Sequence, residues 1–167
     1  MRNRNRTCTL AGLHQDPRDR EIGELKQELA ELKREFTHAR LRIIAMAPAS
    51  WEVQSMLRDA IDCQTWKELW AWERRVRETA LELAKAQQDD DGRANCPLCG
   101  EGIQDGRGYA VPFGLERHIG GMDRTQRCSL LETAFKLGRD HNLEKFRAAE
   151  AQDLANAERA LLGEARR

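Results

Sequence analysis

The sequence predicts a mainly α-helical protein, with long helices in a coiled coil or a helical hairpin, then a small cysteine-bearing module, then C-terminal helices. Three observations predict it. Apolar residues recur at helical spacing over most of the chain. Charged residues make up 34% of the composition and aromatic residues only 5%, the balance of a lean core under a large solvated surface rather than of a compact enzyme. Three of the five cysteines, with one of the four histidines, fall in the single stretch from Cys96 to Cys128.

The 167 residues suffice for one ordinary domain or two small modules. The 28 basic residues balance the 28 acidic ones, so no overall positive field draws in nucleic acid or an anionic membrane. The N-terminal "MRNRNRTCTL" is basic with no apolar core behind it, unlike a secretory signal. The longest nearly apolar run, "IIAMAPA" from Ile43, is far too short to span a bilayer. A soluble, cytoplasmic protein without a membrane partner is expected. Thiols stay reduced there, so a cysteine cluster reads as a metal site before it reads as a disulfide framework.

Residues 1–15, with Arg2, Arg4 and Arg6, read as a flexible basic arm. The helical region spans 16–88. Asp16 can cap the first helix, Pro17 suits its first position and Pro48 lies just beyond its end. Ile22, Leu25, Leu29, Leu32, Phe36, Ala39, Ile43 and Met46 follow an unbroken heptad alternation of a and d positions. The g positions Glu21, Glu28 and Glu35 each precede a basic e position, Lys26, Lys33 or Arg40, by five residues. A parallel, in-register homodimer would pair them all across the seam, whereas an antiparallel one would oppose like charges. The homodimer is the favoured expectation, with Ile22, Leu25, Leu29, Leu32, Phe36 and Ile43 as its seam. The alternative is a helical hairpin, in which the next helix covers the same stripe.

Ser50 can cap a second helix, and a break is expected at 62–65, where Thr65 and Glu68 in "TWKE" fit a capping box. The following helix, from Trp66 to about Gln88, carries the stripe Leu69, Trp72, Val76, Thr79 or Ala80, and Leu83. The four tryptophans lie between Trp51 and Trp72. They either staple these helices together or form an exposed aromatic patch. "QQDDDGRAN" is polar, and residues 89–94 read as a linker. The module covers 95–130 and the C-terminal helices 131–167. In the latter, "SLLE" predicts a helix that starts at a Ser129–Glu132 capping box and stops near Gly138, and Asn142 is expected to cap a last helix from Leu143 to about Leu162.

Within the module, Cys96 and Cys99 in "CPLCG" form a metal hook whose turn Gly100 permits. Downstream, "FGLERHIGG" places Phe113, Leu115 and His118 so that a helical turn has an apolar face and a projecting histidine. Between them, "GIQDGRGYAVPF" is consistent with a small hairpin. This stretch, about 94–130, resembles zinc fingers of the ββα class with two-Cys, two-His or two-Cys, His-Cys ligands. The resemblance implies a zinc-stabilised ββα-like module with one zinc per chain, Cys96 and Cys99 as its hook, His118 as third ligand and Leu115 in its small core. The hook-to-histidine gap of eighteen residues is longer than in DNA-reading fingers, and no ligand follows His118 by three to five residues. Cys128 is the preferred fourth ligand, and His141 the alternative. Cys8 and Cys63 are isolated.

Four protein ligands close a tetrahedral zinc shell and leave no place for an activated water. The deaminase pattern, a Walker A loop and G-x-S-x-G are all missing. No catalytic residue is therefore assigned, and the expected function is that of a non-enzymatic adaptor, regulator or inhibitor that binds a protein partner. The alternative is a dimeric nucleic-acid binder using Arg107, Arg117, Arg124 and Arg127. Against it, residues 93–128 carry an excess of only one basic residue, where phosphate binding needs several uncompensated cations. A zinc-dependent enzyme is the third and least supported reading.

Overall fold

The computed structural model describes residues 17–103, 106–121 and 127–164. The basic arm over 1–15, Cys8, the Asp16 cap and Arg124 lie outside these residues. The chain is mainly helical, with one two-stranded sheet among the described residues. The elements in order are α1 (Pro17–Ala45), α2 (Trp51–Arg58), a 3-10 turn (Asp59–Asp62), α3 (Trp66–Gln87), β1 (Arg93–Ala94), β2 (Tyr109–Ala110), α4 (Phe113–Gly120) and α5 (Ser129–Glu164). No helix among the described residues is long and apolar enough to cross a membrane.

Local sequence sets most boundaries. The Ser50 hydroxyl accepts the Val53 amide at 3.4 Å and starts α2. Thr65 Oγ1 accepts the Glu68 amide at 3.2 Å and starts α3, while the Glu68 carboxylate accepts the Gln64 amide at 2.6 Å. One orphan donor of the first turn and the amide just before the cap are thereby satisfied. Leu69, Trp72, Val76, Ala80 and Ala84 share one buried face of α3. The Trp72 indole N–H donates to the Met56 carbonyl at 2.8 Å, tying α3 to α2. Trp66 is half-buried with its ring 4.9 Å from that of Phe146 on α5. Trp51 and Trp70 are exposed, so two tryptophans staple the helices and two face solvent.

The C-terminal region differs from expectation. One continuous helix, α5, replaces the two that Gly138 and Asn142 were expected to separate. At Gly138 the helix crosses the 3-10 turn, and a Cβ there would overlap the Ala60 carbonyl oxygen. Asn142 is buried in mid-helix, with its side-chain amide donating to the Ile61 carbonyl at 2.5 Å. Glycine here permits a close crossing, and asparagine satisfies a carbonyl at that crossing. The helix start also shifts by one residue: the Cys128 carbonyl accepts the Glu132 amide at 3.0 Å, so Cys128 and not Ser129 is the cap.

Helix α1 presents two distinct apolar rows. Arg40, Leu41 and Ile44 turn toward the body, and Ile44 is fully buried. The heptad row lies one residue earlier, at Phe36, Ala39 and Ile43, which is about 100° around the helix. That row is exposed along its length, from 49% at Ile22 to 84% at Met46. The hairpin expectation, in which the next helix covers this stripe, is therefore not what the fold does. Helix α5 packs antiparallel beside α1 on a different side, where Arg40 pairs with Asp140 at 2.8 Å and Lys33 with Glu144 at 3.1 Å. Between them lies an open groove of about 890 Å³ lined by Phe36, Thr37, Arg40, Asp140, His141 and Leu143.

In the module, β1 and β2 pair antiparallel, with Arg93 opposite Ala110 and Ala94 opposite Tyr109. Strand β1 falls in the expected linker. Asp89 organises that segment, its carboxylate accepting the Asp91 and Arg93 amides at 3.1 and 2.8 Å. The cysteine hook consequently sits inside the hairpin rather than before it. Leu98, Leu115 and Ile119 join Leu69, Leu131 and Leu137 in one buried cluster. The module and the helical body thus share a single core.

Candidate metal centre

Each ligand candidate reaches the centre from a different local device. Cys96 and Cys99 lie on a tight turn in which the Gly100 amide donates to the Cys96 carbonyl at 2.8 Å. Gly100 has φ of 75°, the left-handed conformation that the expected turn requires. A Cβ on Gly100 would also meet the Pro48 ring, so the loop after α1 braces the hook. Leu115 and Ile119 anchor the buried side of α4, and His118 projects from the same helix. Cys128 stands at the start of α5, its amide donating to the His118 carbonyl at 2.8 Å.

These four residues converge. The three sulfurs and a ring nitrogen of His118 all lie within 4.8 Å of one another. Cys96 Sγ and Cys128 Sγ are 4.0 Å apart, and Cys99 Sγ is 3.3 Å from His118 Nε2. A tetrahedral ion with metal–sulfur bonds of about 2.3 Å sets sulfur–sulfur edges of about 3.8 Å. The cluster has the size and donor set to hold one metal ion. His141, the alternative fourth ligand, is exposed on α5, lines the α1–α5 groove and is not part of this cluster.

Three thiols beside one imidazole cannot all ionise independently. Hydrogen bonds from Cys96 and Cys99 hold the Cys128 thiol far below its usual range, against the effect of burial. Hydrogen bonds with Cys128 and Cys96, with burial adding to them, push the Cys99 thiol far up. Burial alone would lower His118, but hydrogen bonding and charge from Cys128 and Cys96 outweigh it and raise the imidazole to about 9. Negative charge is thus shared within the cysteine cluster, with a protonated imidazole against it. A divalent cation would replace those protons. Cys63 lies apart from the cluster, with its thiol raised chiefly by burial.

Two neighbours of the cluster were not singled out by sequence. Tyr109 stacks on the His118 ring at a centroid distance of 4.5 Å, and its hydroxyl lies 3.1 Å from His118 Nδ1. Glu101 places a carboxylate oxygen 3.6 Å from Cys99 Sγ. The sequence marks Tyr109 only as a strand residue nine positions before His118. No spacing rule connects either residue to a metal.

The arginines considered for nucleic acid divide. Arg127 is half-buried and bound internally, 2.5 Å from Glu73 on α3 and 3.1 Å from Glu132 on α5, with its guanidinium over the Phe135 ring. Arg107 and Arg117 are exposed on the module, and each is engaged with a neighbouring group. No family model, curated protein or solved structure matches this chain. Its class is therefore defined by its own architecture: a mainly helical protein with a Cys3His group set between a two-stranded hairpin and two helices.

Proposed function

We propose that this chain is a non-enzymatic, zinc-stabilised interaction protein whose helical surface binds a protein partner. The observation that carries this reading is the exposed heptad row of α1. Ile22, Leu25, Leu29, Leu32, Phe36, Ile43 and Met46 are each about half exposed or more, and the intramolecular core uses a different row of the same helix. A contiguous apolar stripe of this kind is the mark of a protein-binding surface. Zinc is the ion that best suits three thiolates and an imidazole, with Cys96, Cys99, His118 and Cys128 holding it. With four protein donors the ion's work is structural: it cross-links the hook, α4 and the start of α5 beneath the helical body.

Nucleic-acid binding draws less support. Arg127 is committed to Glu73 and Glu132, and the chain carries no net charge. The two readings separate in one experiment. Purified protein is assayed for zinc by elemental analysis, then for binding to labelled duplex DNA and single-stranded RNA over a salt series. One zinc per chain and no salt-sensitive nucleic-acid binding are expected. Tight binding that weakens steeply with salt would overturn the proposal in favour of the nucleic-acid reading. Absence of zinc from protein purified without chelator would remove the structural-metal part of it.

A further inference from the structure

We infer that the partner of the α1 heptad row is a second copy of this chain, docked parallel and in register. This rests on the reading of that row as a binding surface, and it specifies the occupant. Three observations point to the same one. The row is continuous from Ile22 to Ile43, about 30 Å along the helix axis, long enough for a stable coiled-coil seam. The flanking charges are self-complementary. Among the described residues, Glu21, Glu28 and Glu35 make no ion pair, although basic residues line the other edge of the row. A parallel second α1 brings Lys26 and Lys33 to Glu21 and Glu28, whereas an antiparallel one sets glutamate against glutamate.

The third observation is the position of α5. Its ion pairs join Lys33 to Glu144 and Arg40 to Asp140, both on the e side of α1. The a and d positions remain open to a second helix. Because the residue order of these pairs is antiparallel, the N-terminal half of α1 and the C-terminal half of α5 leave the body at the same end. Leu154 and Leu161, seven residues apart on that half of α5, are also exposed. A parallel α1 pair would therefore be flanked by two α5 arms, each bringing further apolar surface to the assembly. Arg40 is the exception to the expected charge ladder. Its half-buried pair with Asp140 and its bond to the Lys136 carbonyl hold it on α5. Lys33 is solvent-exposed and would exchange Glu144 for the Glu28 of a second copy, while Lys26 makes no ion pair among the described residues and meets Glu21 directly.

Sedimentation equilibrium of the full chain over a wide concentration range tests this, using wild type and the double variant Leu29→Glu, Leu32→Glu. Both substituted residues are exposed, so the fold and the metal content serve as internal controls. A wild-type dimer and a variant monomer that keeps its zinc and its helical circular dichroism are expected. A third protein, Leu25→Cys in a Cys8→Ser background, should give a disulfide-linked dimer under mild oxidation, because parallel register places position 25 opposite itself. A wild-type monomer at all concentrations, a dimer unaffected by the double variant, or no cross-link at position 25 would each overturn the inference. A monomer whose α1 row still binds a different purified protein, with loss of binding in the double variant, would retain the broader interaction reading. A monomer without such binding would remove both.

Discussion

The hydroxyl of Tyr109 lies 3.1 Å from His118 Nδ1, on the side of the imidazole away from the sulfurs, while Nε2 faces Cys99 at 3.3 Å. A histidine that ligates through one nitrogen is oriented by what its other nitrogen meets. Here the Tyr109 oxygen can accept from Nδ1–H, which leaves Nε2 unprotonated and free to ligate. Tyr109 is therefore a positioning residue. Tyr109→Phe keeps the ring stacking and deletes that partner, so zinc affinity should fall by about 10- to 100-fold. Competition with a chromophoric chelator measures the loss. Nitrogen-15 spectra of the metal-free histidine ring above pH 9, where the imidazole is neutral, should change from one tautomer in wild type to a mixture in the variant, which a merely structural role would not produce.

Proton competition should give metal binding a definite pH dependence. In the metal-free protein, His118 is raised from 6.5 to about 9 by its contacts with Cys128 and Cys96. For a raised histidine, the stabilisation is complete below 6.5 and disappears as pH climbs through about 9. Zinc must displace that proton, and also the proton that Cys99 retains. Zinc affinity should therefore climb between about pH 6 and 9, with proton release on binding. Calorimetry in buffers of different ionisation enthalpy reads the proton count directly. A flat affinity profile over that range would exclude the protonated imidazole.

Much of this molecule is legible in the sequence because its signals are local. The caps at Ser50 and Thr65, the α3 stripe and the Cys96, Cys99, His118, Cys128 set depend on spacing within one element, or on donor chemistry that few residue types share. The illegible parts depend on what a residue meets across the fold. Gly138 and Asn142 have the composition of a helix stop and a helix cap, but their partners are the Ala60 and Ile61 carbonyls, some eighty residues away in sequence. Arg127 carries the same charge in either role, and only the positions of Glu73 and Glu132 decide between them. The shared core has a similar cause. Leu98 and Leu115 look like the small core of an independent module until Leu69 and Leu131 are found in the same cluster.

Gly138 yields a prediction opposite in sign to the usual helix rule. In an ordinary exposed helix interior, replacing glycine by alanine stabilises by about 1 kcal/mol. At Gly138 the added Cβ would overlap the Ala60 carbonyl and press on Leu69. Forcing α5 away from the 3-10 turn would also stretch the Asn142 bond to the Ile61 carbonyl. Overpacking of this kind costs about 1–3 kcal/mol. Gly138→Ala should accordingly lower the urea midpoint. Gly23→Ala is the control, since a Cβ there meets nothing within 4 Å, and it should leave the midpoint unchanged or raise it.

Arg127 should matter to folding rather than to an external anion. Its guanidinium joins Glu73 on α3 to Glu132 at the first turn of α5 and covers the Phe135 ring. These contacts lie one residue before Cys128, so they also fix the cap that carries a metal ligand. Arg127→Ala leaves the largely buried Glu73 with only the longer 4.0 Å contact to Arg77, and removing one side of a half-buried charge-assisted pair costs about 1–3 kcal/mol. Arg127→Lys should recover little, because an ammonium cannot span both carboxylates in the planar geometry of a guanidinium. Both variants should lower the thermal midpoint and weaken zinc retention against chelator. Neither should alter the salt dependence of any residual nucleic-acid binding. A normal midpoint together with a shallower salt slope in Arg127→Ala would instead place this side chain against phosphate.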